Sequence, residues 1–277
     1  MCIIRSIYVN LLIFGFTIIS SCSNNNDKTF DIVKEKVLIE NSVDSIDSIN
    51  HSDFQTKIPN NFYDDTVHHN SYSFSYSEKY EQPRWLNYTL TREMLSIHLV
   101  KRKDNFREDP FVVTGSAQLI DYKSSGYDRG HLCPAKSMEF SEFAMSESFY
   151  MSNMSPQHPS LNRGIWKKLE TKERKWAVEL DSLEIYCGGV FDSIIEVIGP
   201  NNVAVPSAYY KIIFCPYDLE KSISFIFPNE KCHNPLSYYV VPIDSIEEKT
   251  KLNFFSELSD NQQELFESRV NLSNWAF

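Results

Sequence analysis

The sequence predicts an α+β fold, and two observations lead to that prediction. Short runs in which apolar and polar residues alternate, as they do in half-buried strands, follow one another at hairpin-like spacings. An amphipathic helix predicted over 161–178 precedes four of these runs instead of alternating with them. Strands grouped in this way favour an α+β domain over a parallel sheet in which strands and helices alternate.

The elements before residue 161 are predicted from local periodicity. Apolar and polar residues alternate in 73–76 and in 84–90, which predicts two strands. The alternation continues through 93–100, so this segment is predicted to extend the sheet. Apolar residues along one side of 138–150 predict a helix there.

The helix over 161–178 has the clearest apolar stripe in the chain, formed by Leu161, Ile165, Leu169 and Trp176. The elements predicted downstream are strands over 183–189, 194–198, 206–214 and 222–227, a short apolar run at 238–241, and helices over 243–255 and 262–270. The sequence shows no internal repeat and no second domain boundary.

Composition and charge indicate a folded protein with an acidic balance. Hydrophobic residues make up 42% of the chain and aromatic residues 14%, which is typical of a globular protein. The formal net charge of −10 argues against a nucleic-acid partner, since phosphate binding requires lysine and arginine. Much of that negative charge, however, lies in 23–70 and 241–277. Within 162–176 six basic residues accompany only two glutamates, so a local basic face is available.

The first 22 residues have the pattern of an export signal. Arg5 precedes an apolar segment over 7–19, which is too short to span a bilayer comfortably. The segment ISSC that ends at Cys22 resembles a bacterial lipoprotein box, so Cys22 is predicted to be lipidated. The alternative is an ordinary cleaved signal in which Cys22 is incidental. The protein is expected to be exported as a membrane-anchored lipoprotein that faces the periplasm or the cell exterior.

The segment 23–70 is predicted to be an acidic, flexible tether, because it is polar and poor in aromatic residues. Its His68-His69 pair has no further metal ligands nearby in the sequence and is assigned to the tether. The domain that carries the chemistry is therefore expected over 71–277.

The cysteines of this domain leave several possibilities open: Cys133, Cys187, Cys215 and Cys232. Export permits disulfides, and four cysteines allow three pairings. No CxxC spacing occurs, which argues against a zinc knuckle. Cys133 lies two residues from His131 and raises the alternative of a Cys/His nucleophile, although its apolar neighbours favour simple burial. The GxxxxGK and GxGxxG phosphate loops are absent from the sequence, so nucleoside-triphosphate chemistry has no support.

Two segments carry the candidate chemistry: DYKSSGYDRGHLCPA at 121–135 and NMSPQHPSLNRGIWKKLE at 153–170. The first contains Asp128-Arg129-Gly130-His131, which places a potential general base beside a guanidinium suited to phosphate. The second adds two amides, a carboxylate and several cations. Together the two segments predict one metal-dependent phosphodiesterase site.

Asn162 and Glu170 are the candidate metal-binding residues. They lie eight residues apart, which corresponds to about 12 Å along an α-helix. Both side chains cannot contact one ion directly over that distance, but Asn162 can bind the ion directly while Glu170 binds it through water. Mg²⁺ favours this arrangement because it keeps several waters and takes few protein oxygens. Mn²⁺ or another divalent ion is an alternative.

Taken together, these segments resemble the DNA/RNA non-specific endonuclease family, the ββα-metal or His-Me finger nucleases that include mitochondrial endonuclease G. The segments PRWLNYTL, VPSAYYKIIF and SIEEKTKLNFFSEL add to the likeness, which extends over about 70–277. The resemblance implies a largely antiparallel central sheet flanked by helices.

The resemblance also implies roles for the residues that match the family motif. His131 is implied as the general base that deprotonates a water, Asn162 as the direct metal ligand, and Glu170 as the residue that holds the metal through water. Arg129 and Arg174 are implied to bind the phosphate.

Asn153 is implied by the same resemblance as a supporting catalytic residue, which holds either the phosphate or a water of the metal. Every motif position has the residue type that the family has, so an inactive relative is not indicated.

The expected activity is hydrolysis of phosphodiester bonds in DNA and RNA with little sequence preference, because contacts to phosphates carry no base information. The family implies products with 5′-phosphate and 3′-hydroxyl ends. Three alternatives stay open: a phosphodiesterase of nucleotides or small diesters, a lipoprotein that binds nucleic acid without cutting it, and a toxin or its protective partner.

Overall fold

An antiparallel sheet forms the centre of the structure. The computed structural model describes Pro59 and residues 66–277. The strands of these residues are β1 (Thr66–His68), β2 (Ser73–Ser77), β3 (Gln82–Thr91), β4 (Asp128–His131), β5 (Met154–Gln157), β6 (Ser182–Ile198), β7 (Val203–Cys215), β8 (Asp218–Pro228) and β9 (Val240–Val241). Seven strands pair in the order β1-β2-β3-β6-β7-β8-β9, while β4 and β5 form a separate two-stranded sheet. Every one of these pairings is antiparallel, so the predicted α+β class is confirmed.

Six α-helices accompany these strands in the described residues: α1 (Arg92–Ser96), α2 (Leu119–Tyr122), α3 (Glu142–Glu147), α4 (Lys167–Leu180), α5 (Ile243–Thr250) and α6 (Asp260–Glu267). A π-helical segment, Leu161–Trp166, leads directly into α4. The predicted helix over 161–178 is therefore present, but its first part is not α-helical.

The two faces of the large sheet are covered by different helices. Side chains alternate along β7, so Tyr209 and Ile213 pack in a cluster with residues of α4. Tyr210 and Ile212 face the other way and pack in a second cluster with residues of α5 and α6. The C-terminal helices consequently lie on the sheet face opposite α4.

The segments predicted as strands over 183–189 and 194–198 form one continuous strand, β6. Its pairing with β7 has register shifts between Val190 and Ile194 and between Ile194 and Glu196. Such irregularities interrupt the alternation of apolar and polar residues without ending the strand. The interrupted pattern explains why the sequence predicts two strands.

The prediction that 93–100 extends the sheet is wrong. This segment contains α1, which begins after Thr91, whose Oγ1 accepts a hydrogen bond from the backbone N–H of Met94 at 3.1 Å. That N-cap satisfies one of the free donors of the first helical turn. The backbone N–H of Val100 then donates to Glu139 O at 3.0 Å and not to a strand.

Three predicted helices are shorter in the structure. The one over 138–150 is reduced to α3, which begins after Ser141 and is capped by its side chain. The one over 243–255 is reduced to α5, which ends at Thr250 because the next residue, Lys251, has a left-handed φ of 60°. The last, predicted over 262–270, is α6, and it begins after Ser259 in a capping box with Gln262.

Residues 66–70 belong to the folded domain, so the predicted boundary between tether and domain at residue 71 lies too late in the chain. β1 pairs with β2, and His69 Nε2 lies 2.8 Å from Asp109 Oδ2. The ring of His69 also stacks on Tyr150, at 5.0 Å between centroids. The assignment of His69 to a tether is therefore wrong, because its partners lie far along the chain.

The predicted signal segment, its lipidation site Cys22 and the tether up to residue 65, Pro59 apart, lie outside the described residues. Among the residues that are described, no helix is both long and apolar enough to cross a membrane.

The four cysteines of the domain are unpaired thiols. Cys133, Cys187 and Cys215 are buried, and Cys232 is half-buried. The structure therefore shows none of the three pairings that the sequence allows.

Candidate active site

Strand β4 carries the DRGH motif and pairs with β5, so that His131 lies opposite Met154 and Asp128 lies opposite Gln157. Arg129 is exposed, while Asp128 and His131 are half-buried. The indole Nε1 of Trp166 donates to the backbone oxygen of His131 at 3.3 Å. This hydrogen bond links the β4 motif to the segment that precedes α4.

The imidazole of His131 packs against the rings of two phenylalanines. Phe149 and Phe106 contact it edge-on, with ring centroids 5.1 Å and 5.8 Å away. Its Nε2 is buried and has no hydrogen-bond partner among the described residues. Burial, followed by the charges of Arg102 and Arg129, lowers the pKa of His131 to about 3. The ring is therefore neutral at neutral pH and can accept a proton.

The π-helical segment turns Asn162 towards β4. Its Nδ2 donates to Asp128 Oδ2 at 2.8 Å, which leaves the amide oxygen as the free end of the side chain. Gly164 has non-helical dihedral angles (φ −101°, ψ −109°), so the segment is kinked before α4 begins. Short π-helical segments are frequent at functional sites, since they change the direction of one side chain within a helix.

Asp128 orients the metal-ligand candidate and has no predicted role of its own. Besides Asn162, it accepts two hydrogen bonds from the guanidinium of Arg163. Burial raises the pKa of Asp128, but the hydrogen bonds from Arg163 and Asn162 outweigh this and hold it below its usual range. The carboxylate is therefore ionised, and it is a positioning residue for Asn162.

Glu170 lies in the first turn of α4, half-buried and without a hydrogen bond or ion pair among the described residues. Burial raises its pKa to about 7, although the ammonium of Lys211 lowers it. The spacing of about 12 Å between Asn162 and Glu170 assumed a continuous α-helix. That assumption is wrong, because the π-helical segment and its kink at Gly164 separate the two residues.

Arg129 and Arg174, the two predicted phosphate ligands, have guanidinium N–H groups without a hydrogen-bond partner among the described residues. Arg129 is exposed, with its Cζ 4.2 Å from the ring centroid of Phe106. Arg174 Nη2 donates to Thr171 Oγ1 at 3.1 Å, whereas Nη1 is buried and has no partner in the described part of the chain. Arg102, which the sequence analysis missed, lies close enough to lower the pKa of His131.

Asn153 lies behind the site and is fully buried. Its Oδ1 accepts from the backbone N–H of Cys133 at 2.8 Å, and its Nδ2 donates to Cys133 O at 2.9 Å and Ser148 O at 2.7 Å. Both amide hydrogens are thus used within the protein, so the side chain has no free donor for a phosphate oxygen here, and the predicted contact with phosphate or a water of the metal stays a prediction. Asn153 positions the chain that directly follows His131.

A buried ion pair beneath the site was also missed. Lys211 and Glu173 are both fully buried, with Nζ 2.7 Å from Oε1, and Tyr88 donates to Glu173 at 2.8 Å. The ammonium of Lys211 lies 4.6 Å from the ring centroid of Trp166, which binds the backbone of His131. The signal in the sequence is a lysine inside the apolar run VPSAYYKIIF, since a buried charge requires a partner.

The alternative of a Cys133 nucleophile is not supported by the geometry. The thiol is completely buried, and this burial raises its pKa well above its usual value. A thiol in such surroundings does not ionise readily and is unreactive.

Gly130 allows the close approach of β4 to the side chain of Gln157. A Cβ at this position would lie 2.2 Å from Gln157 Oε1. We therefore expect Gly130→Ala to destabilise the protein by about 1–3 kcal/mol, as overpacking does in other cores. The change in free energy of unfolding is measured in urea. The double variant Gly130→Ala/Gln157→Ala is the control, because it removes the colliding atoms; if it loses as much stability as the two single variants added together, the explanation is wrong.

Comparison with known proteins agrees with this geometry. Residues 50–261 match the family model of the DNA/RNA non-specific endonucleases. The chain is 32% identical over 242 residues to "Nuclease 1, mitochondrial" of Schizosaccharomyces pombe, covering 78% of this chain and 74% of that protein. It is 32% identical over 200 residues to human "Endonuclease G, mitochondrial", covering 66% and 67% of the two chains.

A solved structure shows the same fold. The crystal structure of the EndoG/EndoGI complex superposes with a TM-score of 0.65 at 30% sequence identity, over 71% of this chain and 88% of that chain. The ββα-metal fold implied by the resemblance is thereby confirmed. The chain belongs to the DNA/RNA non-specific endonuclease family, a family of metal-dependent nucleases, and is a hydrolase.

Proposed function

We propose that this protein is a Mg²⁺-dependent endonuclease that hydrolyses phosphodiester bonds of DNA and RNA with little sequence preference. The products would carry 5′-phosphate and 3′-hydroxyl ends. The observation that supports the proposal most is that β4 brings the imidazole of His131 beside the cations Arg102 and Arg129 and holds Asn162 through Asp128. A neutral nitrogen in a cationic site is suited to take a proton from a water that attacks a bound phosphate.

His131 is the general base in this proposal, and binding of the substrate changes its pKa. In the free protein, burial and the two neighbouring arginines keep the pKa of His131 low. A phosphodiester bound at Arg129 offsets the charge of that arginine and raises the pKa of His131. The ring then becomes a stronger base only when substrate is present.

Arg129 and Arg174 bind the non-bridging oxygens of the phosphate. A guanidinium presents several N–H donors in a planar fork that matches two phosphate oxygens. Arg174 Nη1 has no partner among the described residues, and a phosphate oxygen would satisfy it.

The residues present fit a divalent cation. Asp128 holds the nitrogen of the Asn162 amide, so the oxygen is free to be a ligand, and Glu170 is unpaired among the described residues. Asn162 would hold the ion directly, and Glu170 would hold it through water. When bound, Mg²⁺ neutralises the charge that develops on the phosphate and on the departing 3′ oxygen. Mn²⁺ suits the same oxygen ligands.

The substrate range follows from which atoms the site contacts. The candidate groups are directed at phosphate and none at a base, so sequence preference is expected to be weak. The proposed chemistry does not use the 2′-hydroxyl, so RNA and DNA are both substrates. Exposed cations near the site, Arg163, Lys167 and Lys168 among them, favour a polyanionic polymer over a small diester.

A single assay tests the proposed function. The purified chain is incubated with plasmid DNA, structured RNA or bis-p-nitrophenyl phosphate, each with Mg²⁺ and with EDTA. We expect both polymers to be cut at internal positions with Mg²⁺, and EDTA to abolish cleavage. Faster turnover of bis-p-nitrophenyl phosphate than of the polymers would favour a small-diester phosphodiesterase. Retained DNA that is never cut would favour a binding protein.

We further propose that the precursor is exported and lipidated at Cys22, with 23–65 as the tether. The support is the sequence pattern of residues 1–22. In a bacterial host, Cys22→Ala is expected to prevent incorporation of labelled palmitate and to release the protein from the membrane fraction. The matched control is Cys2→Ala, which should leave both properties unchanged. Incorporation of palmitate into the Cys22→Ala chain would refute the assignment.

A further inference from the structure

Three carboxylates meet between α5 and α6, on the sheet face opposite α4. Asp244 and Glu247 come from α5, and Glu267 is the last residue of α6. One carboxylate oxygen from each lies within 4.8 Å of the other two. These residues pack beside the apolar cluster of the C-terminal helices, so the group is separate from the candidate active site.

Glu267 is the residue that distinguishes this group from an ordinary acidic surface. Its side chain is only 3% exposed, and its Oε1 is buried without a hydrogen-bond partner among the described residues. Burying a charged carboxylate without a partner costs free energy. A buried carboxylate oxygen is therefore usually protonated or in contact with a cation.

The described residues provide the three carboxylates with no lysine, arginine or histidine as an ion-pair partner. Burial, followed by the charges of Glu247 and Asp244, raises the pKa of Glu267 to about 8. Burial likewise raises the pKa of Glu247 to about 7. Glu264 adds a further negative charge beside Asp244.

We propose that Asp244, Glu247 and Glu267 form a binding site for one calcium ion. Ca²⁺ takes carboxylate oxygens at about 2.3–2.6 Å, so ligands on opposite sides of it lie about 4.6–5.2 Å apart. Mg²⁺ binds oxygens at about 2.0–2.1 Å and demands a tighter octahedron. The three oxygens lie within 4.8 Å of one another, and the longer, more variable Ca–O distances accommodate such a spread more readily than the short Mg–O distances do.

The ion would join α5, which carries Asp244 and Glu247, to α6, which carries Glu267. Glu247 Oε1 also accepts a hydrogen bond from the backbone N–H of Phe254 at 2.7 Å. Phe254 and Phe266 both pack in the cluster that covers the sheet. Bound calcium would thus connect α5, α6 and the segment between them. It is therefore expected to raise the free energy of unfolding of the domain.

The test uses the full chain carrying Asn162→Ala, so that the proposed catalytic metal site does not contribute. EDTA-treated protein at pH 8 is titrated with CaCl₂ by calorimetry, and its Tm is measured with and without calcium. We expect one bound Ca²⁺ per chain and a rise in Tm of about 5 °C at a hundredfold excess over Kd. MgCl₂ at the same concentration should produce a clearly smaller rise.

Two variants and a control decide the assignment. Glu267→Gln and Glu247→Gln should each remove the calcium response, while Glu248→Gln, the same change at an exposed position of α5, should keep it. Both Gln variants should unfold at or above the Tm of the calcium-free parent, because one repelling charge is gone. The proposal is overturned if calcium leaves the parent's Tm unchanged, if magnesium acts equally, or if the Gln variants still respond.

Discussion

His131→Ala should lower kcat for plasmid cleavage by about 10²–10⁴-fold, which is the usual contribution of a general base. The physical reason is that the imidazole of His131 is neutral at neutral pH and can accept a proton. KM should change little, since Arg129 and Arg174 bind the phosphate in the proposed arrangement. Initial rates of supercoiled-plasmid nicking with Mg²⁺ give both constants.

The matched control for this variant is His233→Ala, which removes an exposed histidine. It should cleave DNA at the rate of the parent chain. The Tm of His131→Ala should stay close to that of the parent, so that lost activity cannot be ascribed to unfolding. Cleavage by a folded His131→Ala chain at the parental rate would show that the assigned base is wrong.

Asn162→Ala should lower cleavage by more than a hundredfold and weaken the binding of the divalent ion. Electrostatic stabilisation by a metal contributes several kcal/mol to catalysis, and each ~1.4 kcal/mol corresponds to a factor of ten. The variant removes the amide oxygen that Asp128 orients towards the site. Mn²⁺ binding, followed by its electron paramagnetic resonance signal, measures the loss independently of activity.

Asn261→Ala is the control for this second variant, because it makes the same change at an exposed position of α6. It should retain activity and Mn²⁺ affinity. An Asn162→Ala chain that binds Mn²⁺ as tightly as the parent would refute the assignment of Asn162 as the direct ligand. Asp128→Asn should reduce the cleavage rate and the Mn²⁺ affinity less than Asn162→Ala does, because it disturbs only the orientation of the Asn162 side chain.

The strands and the chemistry-bearing residues were predictable because both follow from local patterns. Alternation identified β2 and β3, although consecutive residues are buried in both strands of the structure. The same rule failed at α1, because the hydrogen bond from Met94 N–H to Thr91 decides the conformation there and alternation does not register it. It also divided β6 in two, because register shifts interrupt the alternation within a single strand.

The roles of individual polar side chains depended on partners that lie far away in the chain. Asn153 was predicted to hold the phosphate or a water of the metal, and the structure shows hydrogen bonds from its amide group to the backbone of Cys133 and Ser148. Lys211 and Glu173 looked like separate charges in the sequence, 38 residues apart, and form one buried ion pair. Whether a side chain is buried and which groups it bonds depend on the tertiary structure. A local sequence pattern therefore cannot predict them.

The sequence by itself determined the family, the strand-rich α+β class, and His131, Asn162 and Glu170 as the candidate residues, because the order and spacing of the motif are sufficient for these. Only the tertiary structure decided how the motif is held. The kink at Gly164 and the carboxylate of Asp128 orient Asn162, since a side chain's direction depends on backbone geometry and on partners brought together by folding.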